Sequence, residues 1–471
     1  MSFLYILLAL LIFGILIFIH ELGHFLAARF CGVEILEFAI GMGPKLISWK
    51  SKKNGTRYSL RLFPIGGYVS MLGENGMEAV QGSAEREKDS SEEENGDPKQ
   101  AYYLNPDKTE EPPYEKDGET VELTAEQAKH AYCNQSVWKR ILISFAGPLM
   151  NVVLGFLLMF VITVAVGEGN LGTTTVADFH IVYQSEESLS GLLQGDYVDA
   201  VNGVEVNSFA QMKELVSADE DGLLQISVRR LNAERTDITR ETFNDVPLDL
   251  TALETLFISS VSEQSGLQVN DKIVKVNRVR VHTHYELSYE ITMQGYRAVD
   301  LTVIRNGEEV FLENVLFPNT VDEESNITAG EIDFRVFAEP EYHVGTVLRH
   351  AWYRSVSMVK MVYDTLAGLF SGRYGFEAVS GPVGITKEIT NVVKQSFLNI
   401  IPMMALISIN LGVMNLLPLP ALDGGHLLLY AVEVVRRKPV KPDVESIINF
   451  VGLVLLLGLA VIIAIKDIIA L

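Results

Sequence analysis

The sequence predicts a polytopic α-helical membrane protein with four transmembrane helices, a small β element hung from the first, and two α+β domains outside the membrane. Three observations lead there. Uncharged apolar stretches of spanning length recur at four places in the 471-residue chain. A glycine-rich alternating segment follows the first of them, and one pattern of residues occurs twice in the polar middle. Apolar residues make up 48% of the chain, enough to bury several cores and to exclude disorder throughout.

The elements follow in order. Phe3 to Ile19 carries no charge, and its helical pattern continues through Leu22 and Phe25 to Arg29, long enough to cross a hydrocarbon layer of roughly 30 Å. A cleaved signal peptide would show a basic start and a small-residue cleavage site; neither precedes residue 20, so a retained helix is expected over 1–30. Over 31–73, Asn54-Gly55 marks a hairpin turn, Tyr58, Leu60 and Leu62 alternate with Ser59 and Arg61, and "FPIGGYV" lets backbone approach backbone. An acidic insert is expected over 74–136. Met71 to His130 carries 17 acidic against 6 basic side chains, half of the chain's net charge of −22, and reads as a solvated segment rather than a surface for a basic partner. Nothing points to nucleic acid.

The second span is expected over 137–167, with Ile141 to Val166 uncharged. Next comes the repeat. "SGLLQGDYVDAVNGVEV" (Ser190 to Val206) lines up with "SGLQVNDKIVKVNRVRV" (Ser265 to Val281), each followed by a helical stretch and a β segment. The copies, assigned to 168–250 and 251–340, resemble tandem PDZ domains, in which an extended peptide adds to a sheet edge beside a helix. Asn270 and Arg278 stand where the first copy has glycine. Such domains serve either to capture peptides or as steric bulk.

A helix and linker fill 341–395; Leu348, Trp352, Val356, Val359, Val362 and Leu366 share one side, which suits either a membrane surface or docking on the neighbouring domains. The third span is assigned to 396–430, its apolar core Phe397 to Leu417 closed by Pro418. A basic loop (431–446) and a fourth span (447–471) complete the chain. Arg29, Lys45, Lys139 and Arg140 flank one loop and Arg436, Arg437, Lys438 and Lys441 crowd another, while no Lys or Arg follows span two until Lys213. Both basic loops are therefore expected in the cytoplasm, with the termini and the repeat outside. Cys31 and Cys133 both fall on the reducing side, so no disulfide framework is expected.

The chemistry lies where charge is costly. "LLIFGILIFIHELGH" runs a spanning segment into His20, Glu21 and His24. Four residues apart on a helix, the two imidazoles share a face and can hold one zinc ion, while Glu21 takes a proton from water. A catalytic zinc needs a third ligand and one open position. "NLLPLPALDGGH" supplies Asp423, preferred because Gly424-Gly425 lets backbone come close, with His426 the competing ligand.

His20-Glu21-Leu22-Gly23-His24, Leu422-Asp423-Gly424, "AGPLMN" at Ala146 to Asn151, "SGPVGI" at Ser380 to Ile385 and the repeat together resemble the site-2 proteases, intramembrane zinc metalloproteases, and their regulator-of-sigma-E branch with two PDZ domains. The resemblance covers nearly the whole chain. It implies His20, His24 and Asp423 as zinc ligands, Glu21 as catalytic acid/base, and Asn415 as holding the substrate strand. It also implies that the segment around Tyr58, Leu60 and Leu62 is a membrane-reentrant β-hairpin or sheet that pairs with that strand. Substrates of the branch are single-span membrane proteins, including anti-sigma factors and remnant signal peptides, and the location is the bacterial inner membrane. The acidic insert is longer than the family usually has. Two other classes stay open: a membrane-anchored PDZ scaffold that only binds peptides, and a transporter, weakened by having four spans and no repeat among them.

Overall fold

The computed structural model describes residues 3–469 apart from 53, 75–112, 117–118, 123–124, 168–170, 220, 232–237, 323–326, 376–378, 380, 396–398 and 441. Most of the acidic insert lies outside the described residues. The chain divides into two compact units, Met1–Leu158 with Val379–Leu471, and Met159–Ala378.

The first unit opens with α1 (Phe3–Phe30), apolar on all sides, as a helix surrounded by lipid or other helices must be. Strands β1 (Ile35–Lys50) and β2 (Arg57–Met71) pair antiparallel, yet each bends back on itself. The bends fall at Gly41 and Gly43 (φ 84° and 86°) and at Gly66 (φ 87°), where a left-handed backbone favours glycine. Four runs therefore lie side by side. Glu37 to Ile40 pairs with Ser70 to Gly67 on one flank and with Arg57 to Leu60 on the other, and Ile47 to Lys50 returns to pair with Leu60 to Arg57. Phe38 and Val69 are buried against α1, with the Phe38 ring 5.1 Å from that of Phe25. Met42 in the bend, Leu46 after it, and Ile47 and Trp49 on the outer run are exposed. Helix α2 (Val137–Val166) follows.

The second unit contains both repeat copies. In the first module, β4 (Val182–Tyr183), β5 (Tyr197–Val201), β6 (Leu223–Leu231), β7 (Ile238–Pro247) and β8 (Phe257–Ile258) lie in the order β7-β6-β5-β4-β8, after a strand β3 (Gly172–Phe179) that is not in this sheet. Helices α3 (Phe209–Ala218) and α4 (Leu250–Leu256) cover it; Met212 and Val216 of α3 and Leu253 of α4 enter one core. In the second module β9 (Lys272–Val276), β10 (Val299–Arg305), β11 (Glu308–Val315) and β12 (Phe334–Ala338) form a sheet with β3, in the order β11-β10-β9-β3-β12, beside α5 (His284–Gln294).

This differs from the boundary drawn at 250/251. Strand β3 precedes the first copy but packs Val176 and Phe179 into the core of the second, opposite Phe334. The repeat gives each copy its turns, central strands and helix, but β3, which lies between β9 and β12 in the second sheet, comes from before the first copy. The first module, 181–258, is thereby inserted into the second. Within the repeat Asn270 adopts φ 71°, near the 91° of Gly195, since asparagine tolerates the left-handed region.

The amphipathic helix is α6 (Val344–Phe370). One face docks on the second module: Tyr289 OH of α5 donates to Asp364 at 2.5 Å, and the Tyr353 ring stacks 4.3 Å from that of His282, just before α5. Leu348, Trp352 and Val356 stay exposed on the other.

Back in the first unit, α7 (Pro382–Gln395) packs Ile389 against Ala9, Ile12 and Leu16 of α1. Helix α8 (Ile400–Asn415) is 16 residues long, about 24 Å at 1.5 Å per residue, shorter than the span expected over Phe397 to Leu417. Past Leu417, Pro418 and Pro420 cannot continue a helix, and a new one, α9 (Asp423–Arg436), begins after the turn. The last helix is α10 (Pro442–Ile469). Among the described residues, three helices are long and apolar enough to cross a bilayer: Leu7–Phe30, Val137–Val166 and Val444–Ile469. Asp467 near the end of α10 accepts from the backbone amides of Gly381 and Gly384, both at 2.9 Å, and so caps α7.

Candidate metal centre

His20 and His24 lie one turn apart near the end of α1, and Asp423 opens α9. Their donor atoms converge. His20 Nε2 is 3.1 Å from one Asp423 carboxylate oxygen, His24 Nε2 is 3.5 Å from the other, and the two Nε2 atoms are 3.2 Å apart. Four ligands at zinc distances of about 2.0–2.1 Å in a tetrahedron stand about 3.3 Å from one another, so the spacing and the nitrogen/carboxylate donor set both fit zinc. Among the described residues these three form the metal-competent cluster of His, Cys, Asp and Glu, with all donor atoms within 4.8 Å of one another.

Close helix packing creates this convergence. A Cβ on Gly23 of α1 would stand 2.3 Å from the Ala146 carbonyl oxygen of α2, and one on Gly147 would stand 2.2 Å from His24 Nε2. Any side chain at 147 would displace the imidazole. His24 Nδ1 lies 2.8 Å from the Ile143 carbonyl, which can only accept, so Nδ1 carries the proton and Nε2 is left free to bind metal. Asn151, one turn beyond Gly147, faces His20 Nδ1 at 3.3 Å. On the far side, Gly424 and Gly425 pack against the carbonyls of Leu416, Leu417 and Leu419, closer than a side chain would allow. This folds the turn tightly enough to present Asp423 at the start of its helix.

Glu21 stands beside the cluster. A Cβ on Gly67 would approach its Cγ to 3.1 Å, and the Val69 backbone also meets its carboxyl group. Gly67 to Val69 is thus the part of the sheet that reaches Glu21. Leu60 lies on the far side of the run containing Ile40, two inter-strand spacings from Gly67, or about 10 Å. Tyr58 is engaged in packing, its ring 5.7 Å from Trp49, while Leu60 and Leu62 are exposed. Asn415 is the last residue of α8. His426, the competing ligand, pairs through Nδ1 with Glu445 of α10 at 3.1 Å. Gly67, Gly147 and Asn151 were not among the site residues expected from the sequence; "AGPLMN" was visible as a motif, but its contacts across helices were not.

These helices and this site define an intramembrane hydrolase of the metal-dependent kind, and comparison with known proteins agrees. The model for peptidase family M50 matches residues 8–459, and the chain belongs to that family, the site-2 proteases. It is 29% identical to the zinc metalloprotease RasP of Shouchella clausii, covering 97% of each chain. It is 27% identical to the regulator of sigma-W protease RasP of Bacillus subtilis, covering 98% of this chain and 97% of that protein. With the regulator of sigma-E protease RseP of Escherichia coli it shares 28% identity over 95% of each.

Proposed function

We propose that this zinc metalloprotease cuts single-span membrane proteins, of the anti-sigma-factor or remnant-signal-peptide type, at a site near the cytoplasmic face of the bacterial inner membrane. His20, His24 and Asp423 hold the ion. Bound there, zinc supplies Lewis acidity to a peptide carbonyl and to an attacking water. Glu21 accepts the water's proton and returns it to the leaving nitrogen. The substrate's backbone groups are tied up in its own helix and must be freed before a carbonyl can react. The sheet beside Glu21 takes them up by strand addition, with the edge at Gly67 to Val69 nearest the chemistry and Asn415 holding the strand from the other side. The sheet thus acts as a membrane-reentrant element, with α8 and α9 together completing a fourth crossing. The two repeat modules act as PDZ-like domains outside the membrane that screen substrates by bulk.

The observation that supports this reading most is the meeting of three zinc-type donors from helices about 400 residues apart in sequence, with donor separations of 3.1 to 3.5 Å. The purified full-length protein, incubated in detergent with a single-span substrate, tests it. Glu21→Gln should keep its zinc and lose about 10²- to 10⁴-fold in cleavage rate, the usual worth of a positioned proton carrier. Asp423→Ala should lose zinc as well. Full cleavage by Glu21→Gln would leave the membrane-anchored scaffold as the better reading.

A further inference from the structure

The two histidines face different partners at their second ring nitrogen. His24 Nδ1 meets a backbone carbonyl, which fixes its tautomer. His20 Nδ1 meets the side chain of Asn151, a wholly buried residue whose amide presents either a donor or an acceptor. The difference matters because an imidazole binds a metal only through a nitrogen without a proton. For His20 to bind through Nε2, its proton must sit on Nδ1, where burial demands an acceptor.

We propose that Asn151 is a positioning residue for His20: its Oδ1 accepts the Nδ1 proton, fixes the tautomer and ring plane, and so makes Nε2 a ligand. The inference rests on the assignment of His20 as a ligand. In the structure it is Nδ2 that stands 3.3 Å from the ring nitrogen, and in that orientation the amide donates to Nδ1 and drives the proton onto Nε2, which blocks coordination. A half-turn of the amide exchanges the two atoms with little displacement. Oδ1 is buried and has no hydrogen-bond partner among the described residues, so no other contact holds it back. Either orientation leaves one amide group unpaired; the hydrogen-bond count does not choose between them, and ligation by His20 does. The backbone at 151 is held independently, since Ser408 Oγ of α8 donates to the Asn151 carbonyl at 2.8 Å. Changing the side chain therefore leaves that link between α2 and α8 intact.

Full-length Asn151→Leu, Asn151→Asp and His20→Ala proteins, each with a melting temperature measured beside the parent, would be titrated with zinc against a chelator. Asn151→Leu keeps the volume and removes the acceptor; zinc affinity should fall about 10- to 100-fold, the usual effect of losing such a partner. Asn151→Asp keeps an acceptor and should bind within about threefold of the parent, and its cobalt-substituted form should keep the parent's absorption spectrum. Parental affinity in Asn151→Leu overturns the proposal. So does an equal loss in both variants, which would mark a packing role, or a more than tenfold loss in a folded Asn151→Asp, which settles the matter even where the leucine variant fails to fold. Undiminished zinc in His20→Ala would remove the ligand assignment itself and the inference with it, an outcome distinct from the others.

Discussion

At the scale of single residues, His180 shows what an interior does to an imidazole. It lies where the two repeat modules meet, its amide donating to the Asp333 carbonyl at 3.0 Å and its own carbonyl accepting from Ser260 Oγ at 2.9 Å. Burial, reinforced by the guanidiniums of Arg229 and Arg335 and opposed by Asp178 and Asp199, holds its side chain down at about 4. The unfolded chain, with its histidine near 6.5, therefore binds the proton first as pH falls. The contribution to stability is fully present above about pH 6.5 and is lost progressively down to about pH 4, roughly 3 kcal/mol in all. Melts of parent and His180→Gln proteins across this window should diverge: the parent loses melting temperature faster on acidification, and parallel curves would contradict the assignment. How legible single residues are depends on their pattern. His20, Glu21 and His24 announce themselves by helical spacing in an apolar run, and Asp423 by a charge between two prolines and two glycines. Gly147 and Asn151 show only as part of "AGPLMN", without a role, because what they do depends on the side chain of another helix against which they fit.

At the scale of elements, the two repeat copies share a fastening that their alignment only half displays. Asp196 and Asp271 stand in register and are almost wholly buried. Each accepts two hydrogen bonds from one arginine, Arg230 at 2.8 and 2.7 Å and Arg305 at 2.7 and 2.6 Å. The same arginine donates to the glycine carbonyl of the Ser-Gly-Leu turn, Gly191 or Gly266, at 2.9 Å in both modules. The turn is thus tied to a strand more than 30 residues later. Arg305→Ala would strand a buried carboxylate and should cost roughly 3 kcal/mol, read as a fall in the unfolding midpoint, whereas removal of the exposed Arg280 should move it little. The aspartates were visible in the repeat. Their partners were not, since a β segment rich in charge does not say which of its arginines turns inward. The segment expected to be the third span shows the opposite case: Pro418 was legible as a stop, but a stop alone does not reveal that a second helix starts at Asp423.

At the scale of the whole molecule, the interleaving of the modules sets which cuts the chain tolerates. Removing 251–340, the boundary that the repeat suggests, would take away the sheet that buries Val176 and Phe179 and leave β3 bare. Removing 181–258 would take away one complete sheet and leave the other whole. The second deletion should give a protein whose remaining domain resists limited proteolysis; the first should give one that is digested or aggregates. The reverse result would show that β3 is dispensable. Pairwise similarity reveals which segments are alike, and the strands exchanged between them are the ones that are not alike, which is why this arrangement escaped the sequence.

The same interleaving imposes a schedule on synthesis. Phe179 emerges 155 residues before Phe334, the residue it faces across the sheet. At about 5–20 residues per second, ribosomes need roughly 8 to 30 seconds to make that stretch. For that interval the newborn strand holds its valine and phenylalanine open to passing chaperones and proteases, while the inserted module is already free to fold.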